Sequence, residues 1–131
     1  MAVVALARPQ DILRIVDMVE DLRAAVGGPV PVDRPWTARM LAGMLGDPQA
    51  VVFVSAAGFI AGSLQPTVIN PALIAMEHGW FATDGTGLRL LRAFEGWAHE
   101  QGAMMVRLST APSGMDLTRL GYRAAELAWV K

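Results

Sequence analysis

A glycine-rich turn before a long amphipathic segment is the feature of this sequence best suited to bind an anion. The stretch TDGTG occupies residues 83–87 and precedes apolar residues at helical spacing. The first turn of a helix presents unpaired backbone N–H groups and a partial positive charge, and glycines let a phosphate approach the backbone closely. The sequence therefore predicts a phosphate cradle formed by Gly85, Thr86, Gly87 and Leu88.

Asp84 lies inside this turn, and two interpretations of its carboxylate stay open. It would repel a phosphate placed at the turn, or it caps the helix by accepting backbone N–H bonds and so fills part of the anion site. Arg89 and Arg92, one turn further along, carry positive charge that would compensate for it.

Glu77 and His78 are titratable residues near the middle of a predicted strand, residues 73–82. An imidazole has an ordinary pKa near ~6.5 and can act as a base at neutral pH. Because side chains alternate along a strand, we expect Glu77 and His78 on opposite faces, with at most one facing a bound acceptor. Ser109 and Thr110 end a later strand, where they either contact a substrate or only close the strand and begin the next turn.

Composition excludes several classes of function. The chain has no cysteine and only two histidines, so disulfides, thiolate catalysis and zinc–cysteine sites are excluded, and we expect no metal site. The net charge of −1, with 11 basic and 12 acidic residues, disfavours nucleic-acid binding. No apolar run approaches the ~20 residues of a membrane span, and no leader pattern is visible, so we expect a cytoplasmic protein without membrane contact.

The sequence is unusually apolar for a soluble domain. Hydrophobic residues make up 53% of its 131 residues and the mean hydropathy is +0.38, which predicts a lined ligand groove or a subunit interface and, with it, a homodimer. Residues 1–131 contain no repeat or linker, so we expect a single domain.

Hydrophobic periodicity and turn residues predict a mixed α/β domain in the order β-α-α-β-β-β-α-β-α-β. A helix joining the strand at residue 73 to the strand at residue 103 implies that these two strands are parallel. The predicted strands are residues 2–7, 50–55, 59–68, 73–82, 103–110 and 122–131. The predicted helices are residues 9–26, 35–45, 86–101 and 112–120.

This order of elements resembles the GNAT superfamily of N-acetyltransferases. The stretch EHGWFATDGTGLRLL, residues 77–91, is similar to that family's acetyl-CoA segment, whose turn usually reads Arg/Gln-x-x-Gly-x-Gly/Ala. The stretch LTRLGYRAAELAWVK, residues 117–131, looks like its closing segment. The resemblance spans most of the chain and implies a splayed pair of parallel strands, with acetyl-CoA as the co-substrate and no metal.

The resemblance also implies roles for particular residues. Acetyl or another small acyl group would pass directly to a primary amine, with Glu77 as the first candidate base, His78 as the second, and Ser109 as a candidate donor to the thiolate. Trp36 and Met40 lie on the second helix, which borders the acceptor site in the family, although core or dimer packing would also explain them. The residues implied to lie along the pantetheine arm are Trp80, Phe81 and Ala82.

The sequence departs from the family pattern at positions that matter for chemistry. Ala82 stands where the family has Arg or Gln, and Leu117 stands where it often has the tyrosine that protonates the leaving thiolate. Only one strand fits after Tyr122, so the last sheet edge would be completed by another subunit. Two alternatives therefore stay open: a non-catalytic binding or assembly module of this fold, and an unrelated α/β interaction domain.

Overall fold

The computed structural model describes residues 3–131, which form a five-stranded mixed sheet with helices on both faces. The strands stand side by side in chain order, and every pair is antiparallel except the last, which is parallel. The strands are β1 (Ala5–Leu6), β2 (Ala50–Ser55), β3 (Gly58–Gln65), β4 (Ile74–Ala82) and β5 (Met105–Arg107). The helices are α1 (Ile12–Val26), α2 (Arg34–Leu45) and α3 (Gly87–Glu100).

The two faces of the sheet carry separate hydrophobic cores. Helices α1 and α2 cover one face, where Ile15, Val16 and Phe59 are almost completely buried. Helix α3 covers the other face with Leu90, Leu91 and Phe94, all fully buried. Leu90, Leu91, Phe94 and Ala98 recur at three- and four-residue spacing, so they form one apolar stripe along the helix. This packing fixes where α3 begins, immediately after β4.

Glycine at position 62 allows α3 to approach the sheet closely. A Cβ atom at Gly62 would lie 2.4 Å from the ring of Phe94 and 2.7 Å from the carbonyl oxygen of Met76. Both distances are well inside van der Waals contact, so only glycine fits beneath that ring.

The predicted order of elements is confirmed through the strand that follows α3, including the parallel pair β4–β5. Predicted strand 2–7 begins at Ala2, which lies outside the described residues, and the described strand there is Ala5–Leu6. Predicted strand 103–110 forms a ladder over three residues, Met105–Arg107. The shortening has a consequence for the site, because β5 leaves the sheet early.

The last two predicted elements are wrong. In place of a helix over residues 112–120 there is a chain reversal, in which the Gly114 N–H donates to the Ala111 carbonyl, followed by a single 3₁₀ turn at Thr118–Leu120. Asp116 accepts bonds from both the N–H and the hydroxyl of Thr118, and such local bonds compete with a helix. Residues 122–131 form no strand in the described structure.

A polar network ties the turn between β2 and β3 to the start of α3. The Asp84 carboxylate accepts four hydrogen bonds, from the Ser55 hydroxyl and Ala57 N–H at 2.8 Å each, and from the Thr86 hydroxyl and N–H at 2.5 and 3.2 Å. Arg14 braces the same turn by donating to the carbonyls of Ser55 and Ala56. These bonds, Thr86 first, hold the pKa of Asp84 well below its usual range despite the opposing effect of burial.

We predict that Asp84→Asn destabilises the fold by about 2 kcal/mol at neutral pH, because the amide nitrogen cannot accept the bonds that the carboxylate accepts. A carboxyl whose pKa is lowered on folding stabilises the protein above its unfolded-state pKa, and that contribution is lost as the pH falls. The difference in unfolding free energy between wild type and Asp84→Asn should therefore shrink below about pH 4.

Urea denaturation at several pH values measures this difference. The control is Asp47→Asn, since Asp47 is exposed and accepts a bond from the Gln49 N–H. The loss of unfolding free energy in this variant should stay within about 0.5 kcal/mol. Equal costs for the two variants, or a cost at Asp84 that does not change with pH, would contradict the account of this network.

Candidate functional site

Strands β4 and β5 separate partway along their length. Their parallel pairing covers Ile74–Met76 against Met105–Arg107, while β4 continues to Ala82 in its ladder with β3. From Glu77 onward, the edge of β4 that faces β5 has no ladder partner among residues 3–131. The predicted splayed pair is therefore confirmed, and it leaves one strand edge open to a ligand.

A cleft of about 330 Å³ lies at this divergence. Its walls come from β4, from the end of α1 with the loop that follows it, and from the chain that leaves β5. The lining residues are Leu22, Val26, Gly27, Gly28, Pro29, Glu77, His78, Trp80, Ser109, Thr110, Ala111 and Pro112. The volume is at the small end of the range for small-molecule sites.

Glu77 and His78 both line this cleft, although strand alternation predicts opposite faces for them. That at most one of them faces a bound acceptor stays a prediction. The ladder between β3 and β4 pairs Gly62 with Glu77 and Ala61 with Gly79, and His78 is the extra residue on β4. Such a bulge interrupts the strict alternation of side chains and re-aims the local strand.

The Glu77 side chain spans the gap between the two diverging strands. Its Oε1 accepts the backbone N–H of Ser109 at 3.0 Å. Burial raises the pKa of Glu77, and the bond from Ser109 offsets part of that rise. A carboxylate with a raised pKa beside a cleft is suited to accept a proton near neutral pH.

His78 makes its contact on the β3 side of the strand. Its Nε2 lies 2.6 Å from the Ser63 hydroxyl, which also accepts a bond from the Gln65 side-chain amide. Partial burial lowers the pKa of His78, so the ring is neutral at pH 7. The structure thus gives the two neighbouring residues different partners, Ser109 for the carboxylate and Ser63 for the imidazole.

The turn between β4 and α3 keeps three of its four predicted amides available. Gly85 adopts φ 80°, a left-handed conformation that favours glycine. The backbone N–H groups of Gly85, Gly87 and Leu88 donate no hydrogen bond within the described part of the chain. The fourth amide, of Thr86, is occupied by Asp84, and the Thr86 side chain is fully buried.

The geometry decides the capping interpretation of Asp84, while repulsion of a phosphate stays a prediction. Its carboxylate points to the turn between β2 and β3 and to Thr86, where it holds four donors. It does not cap α3, because Thr86 is the N-cap residue and the helix has no side-chain capping bond; Asp84 accepts the Thr86 N–H and so occupies one amide of the turn. Its partner Ser55 is 29 residues away along the chain, and no local sequence signal pointed to it.

The three residues predicted to follow a pantetheine arm differ in their side-chain positions. Trp80 lines the cleft, and its indole N–H donates to the Gly87 carbonyl at 3.0 Å. Phe81 packs against the core under α1, and Ala82 packs against the core under α3. Phe81 and Ala82 would therefore meet a ligand through their backbone, and Trp80 also links β4 to the first residue of α3.

Trp36 and Met40 do not line the cleft. Both are about half exposed on α2, and the guanidinium of Arg39 lies 5.9 Å from the centre of the Trp36 ring. Their assignment to the acceptor site stays a prediction. The cleft wall on that side is built instead by the end of α1 and residues 27–29, which sequence reasoning treated only as a helix stop.

The Tyr122 side chain packs against α3, on the face of the sheet opposite to α1. Its hydroxyl donates to Glu95 at 2.6 Å, and its ring packs against the core under α3. Burial, followed by the Glu95 contact, raises the pKa of Tyr122 far above its usual value. A hydroxyl so held is not among the groups that line the cleft, so it gives this site no tyrosine acid.

Two expected absences can be compared with the structure. No group of three or more His, Asp or Glu side chains within residues 3–131 is arranged to hold a metal ion. None of the helices in this range is both long enough and apolar enough to span a bilayer.

Comparison with known proteins gives a match in structure alone. No protein-family model and no curated protein matches the chain. A predicted acetyltransferase from Clostridium acetobutylicum, solved with acetyl-CoA, is 15% identical, with a TM-score of 0.81 over 100% of this chain and 95% of its own. AAC(6')-Iy, solved with the bisubstrate analogue CoA-S-monomethyl-acetylneamine, is 14% identical, with a TM-score of 0.79 over 100% and 97%.

An acetyltransferase from Trypanosoma brucei is 14% identical, with a TM-score of 0.73 over 100% of this chain and 99% of its own. At these identities the likeness concerns the fold and not the activity. The mixed sheet, the parallel pair β4–β5 and the placement of α3 all agree with it. The chain therefore has the GNAT-type acetyltransferase fold.

Proposed function

We propose that this chain transfers an acetyl group, or another small acyl group, from coenzyme A to a primary amine. One observation carries the proposal: three unpaired amides at the start of α3 and the carboxylate of Glu77 lie at opposite ends of the same open edge of β4. A pyrophosphate suits the first end, and an amine that must lose a proton suits the second.

The pyrophosphate of acetyl-CoA would bind at Gly85, Gly87 and Leu88. Their N–H groups combine with the positive end of α3 into an anion site. No arginine or glutamine side chain supplements it at Ala82, so backbone donors carry the recognition. The pantetheine arm would lie along the open edge of β4 beside Trp80, where strand backbone offers N–H and C=O groups.

The reaction would proceed by direct attack. Glu77 takes a proton from the ammonium of the acceptor, the amine nitrogen forms a bond to the thioester carbon, and the C–S bond breaks. The second proton that the nitrogen loses as the amide forms goes to the departing thiolate, which leaves as coenzyme A thiol. Ser109, which lines the cleft opposite Glu77, is the candidate hydroxyl to donate a hydrogen bond to that thiolate. The open edge of β4 supplies N–H groups for the carbonyl oxygen.

A second candidate function is a non-catalytic module that binds coenzyme A without turnover. It is favoured by Ala82 and Leu117, which stand where the resemblance implies a phosphate contact and a thiolate acid. The two functions differ in one measurable respect, namely whether thioester is consumed when an amine is added.

The chain contains no cysteine and so depends on no oxidising compartment. We therefore propose a cytoplasmic location. It agrees with an activity that consumes a thioester co-substrate.

We also propose a homodimer in which the last residues pair with a second copy. Residues 122–131 form no ladder although they are rich in apolar side chains, and Leu127, Trp129 and Val130 are 69%, 88% and 79% exposed. Arg107 of β5 forms an ion pair with Glu126, which holds this segment beside the strand that ends the sheet. An unpaired edge next to an apolar segment is a surface that a second copy can complete.

The catalytic proposal predicts that Glu77→Gln lowers kcat for acetyl-CoA-dependent amine acetylation by 10²–10⁴-fold, the usual contribution of a general base. The glutamine oxygen can still accept the Ser109 N–H, so the cleft should keep its shape. Thiol release measured across pH should rise in wild type through a pKa above the ordinary glutamate value, and that limb should be absent in the variant.

The matched control is Glu100→Gln, since Glu100 is an exposed glutamate at the end of α3. It should retain wild-type kcat at every pH. Full activity of Glu77→Gln would overturn the role of this residue. Binding of acetyl-CoA by the wild type with no thiol released over a panel of amines would favour the non-catalytic module.

The dimer proposal predicts that Trp129→Asp shifts the molecular mass in solution from dimer to monomer, because a charge replaces an apolar contact at the interface. Light scattering after gel filtration measures the mass. Val68→Asp is the control, since Val68 is also fully exposed but lies in the loop between β3 and β4. A wild-type protein that is monomeric at high micromolar concentration would rule the dimer out.

A further inference from the structure

The cleft beside Glu77 is apolar on the wall that faces away from β4. That wall is formed by Leu22 and Val26 of α1, by Pro29 in the loop after it, and by Ala111 and Pro112 across the gap. None of these side chains carries a hydrogen-bonding group. A ligand in this part of the cleft is therefore selected for an apolar body.

Charge in the cleft comes from one residue. Among the described residues that line it, Glu77 is the single acidic side chain, and none is lysine or arginine. The other titratable group, His78, is engaged with Ser63 at 2.6 Å. The acidic residues of α1, Asp17, Glu20 and Asp21, line no part of the cleft, and the first two pair with Arg34.

This arrangement can satisfy one ammonium but not two. The first ammonium would lie at the carboxylate of Glu77. A second one, on a longer acceptor, would lie beside Leu22, Val26 and Pro29, whose side chains carry no negative charge to pair with it. A polar group that finds no partner in a site lowers the binding free energy of its ligand. This loss is larger than the binding free energy that one added methylene contributes, so it can decide specificity.

We propose that the acceptor is a primary amine with a single positive charge and an apolar body, and that polyamines and polycationic sugars are rejected. This inference rests on the proposed acetyl transfer and adds the class of acceptor to it. It separates this chain from AAC(6')-Iy, whose bisubstrate analogue carries an aminoglycoside fragment.

A pair of amines with the same six-carbon chain tests the inference. Hexylamine and 1,6-diaminohexane differ only in that the second replaces a terminal methyl group by an aminomethyl group. We expect kcat/KM for hexylamine to exceed that for the diamine by about tenfold, since the terminal methyl group gains apolar contact with the wall whereas a second ammonium gains no charged partner there. Equal values, or a preference for the diamine, would overturn the inference while leaving the acetyl transfer intact.

Calorimetry of each amine with the protein saturated with coenzyme A distinguishes a failure of the acetyl-transfer reaction from a failure of the acceptor class. Hexylamine that binds more tightly than the diamine but is never acetylated would refute the transfer reaction and retain the acceptor class. Absence of both binding and turnover for hexylamine would overturn the acceptor class as well.

A substitution in the apolar wall gives the converse test. Val26→Asp places a carboxylate on the wall at a residue that is 45% exposed, so the fold should tolerate it. The preference for hexylamine over the diamine should fall at least fivefold, because the second ammonium gains a partner. Val30→Asp is the control, since Val30 is 74% exposed and does not line the cleft. A preference unchanged in both variants would show that the wall at Val26 does not contact the acceptor.

Discussion

The carboxylate of Asp84 holds together the part of the structure on which every functional statement depends. It joins the turn between β2 and β3 to the turn before α3 through bonds to Ser55, Ala57 and Thr86. A negative charge at this position opposes a second anion nearby. Two of its four donors lie at the β2–β3 turn and two on Thr86, so that it fixes the loop while the N–H groups of Gly85, Gly87 and Leu88 make no bond within the described residues.

The second constraint is the early departure of β5 from the sheet. Because the parallel ladder stops at Met76, the rest of β4 offers its backbone on one side. The bulge at His78 lies just past this point, and both titratable residues there line the cleft. Glu77 then bridges the gap to Ser109, so the strand divergence, the bulge and the candidate base form one continuous feature.

Much of the fold could be predicted from local pattern. The apolar stripe of α3 and the β-branched run at residues 50–55 have the periods of a helix and a strand, and packing agrees with those periods. Residues 112–131 could not be predicted in the same way. Gly114 and Asp116 make local turns that compete with a helix, and a strand over 122–131 would have to pair with the outer edge of β5, which carries no ladder in the described structure.

The candidate site was predictable only where it depends on neighbours in sequence. Glycines at 85 and 87 before a helix indicate an anion site by themselves, and the available amides agree with that. Side-chain direction at Glu77 and His78 depends on pairing with β3, which strand alternation alone does not reveal. The partner of Asp84 and the apolar wall at Val26 come from distant segments, and only the folded chain brings them together.

The central claim is that the amides of Gly85, Gly87 and Leu88 receive the diphosphate of coenzyme A while Asp84 keeps the amide of Thr86. Amide chemical shifts in a ¹⁵N-labelled sample titrated with coenzyme A test this residue by residue. We expect the largest shift changes at Gly85, Gly87 and Leu88, with a smaller change at Thr86 because its partner is retained. Saturating coenzyme A that leaves these three amides unshifted would contradict the account.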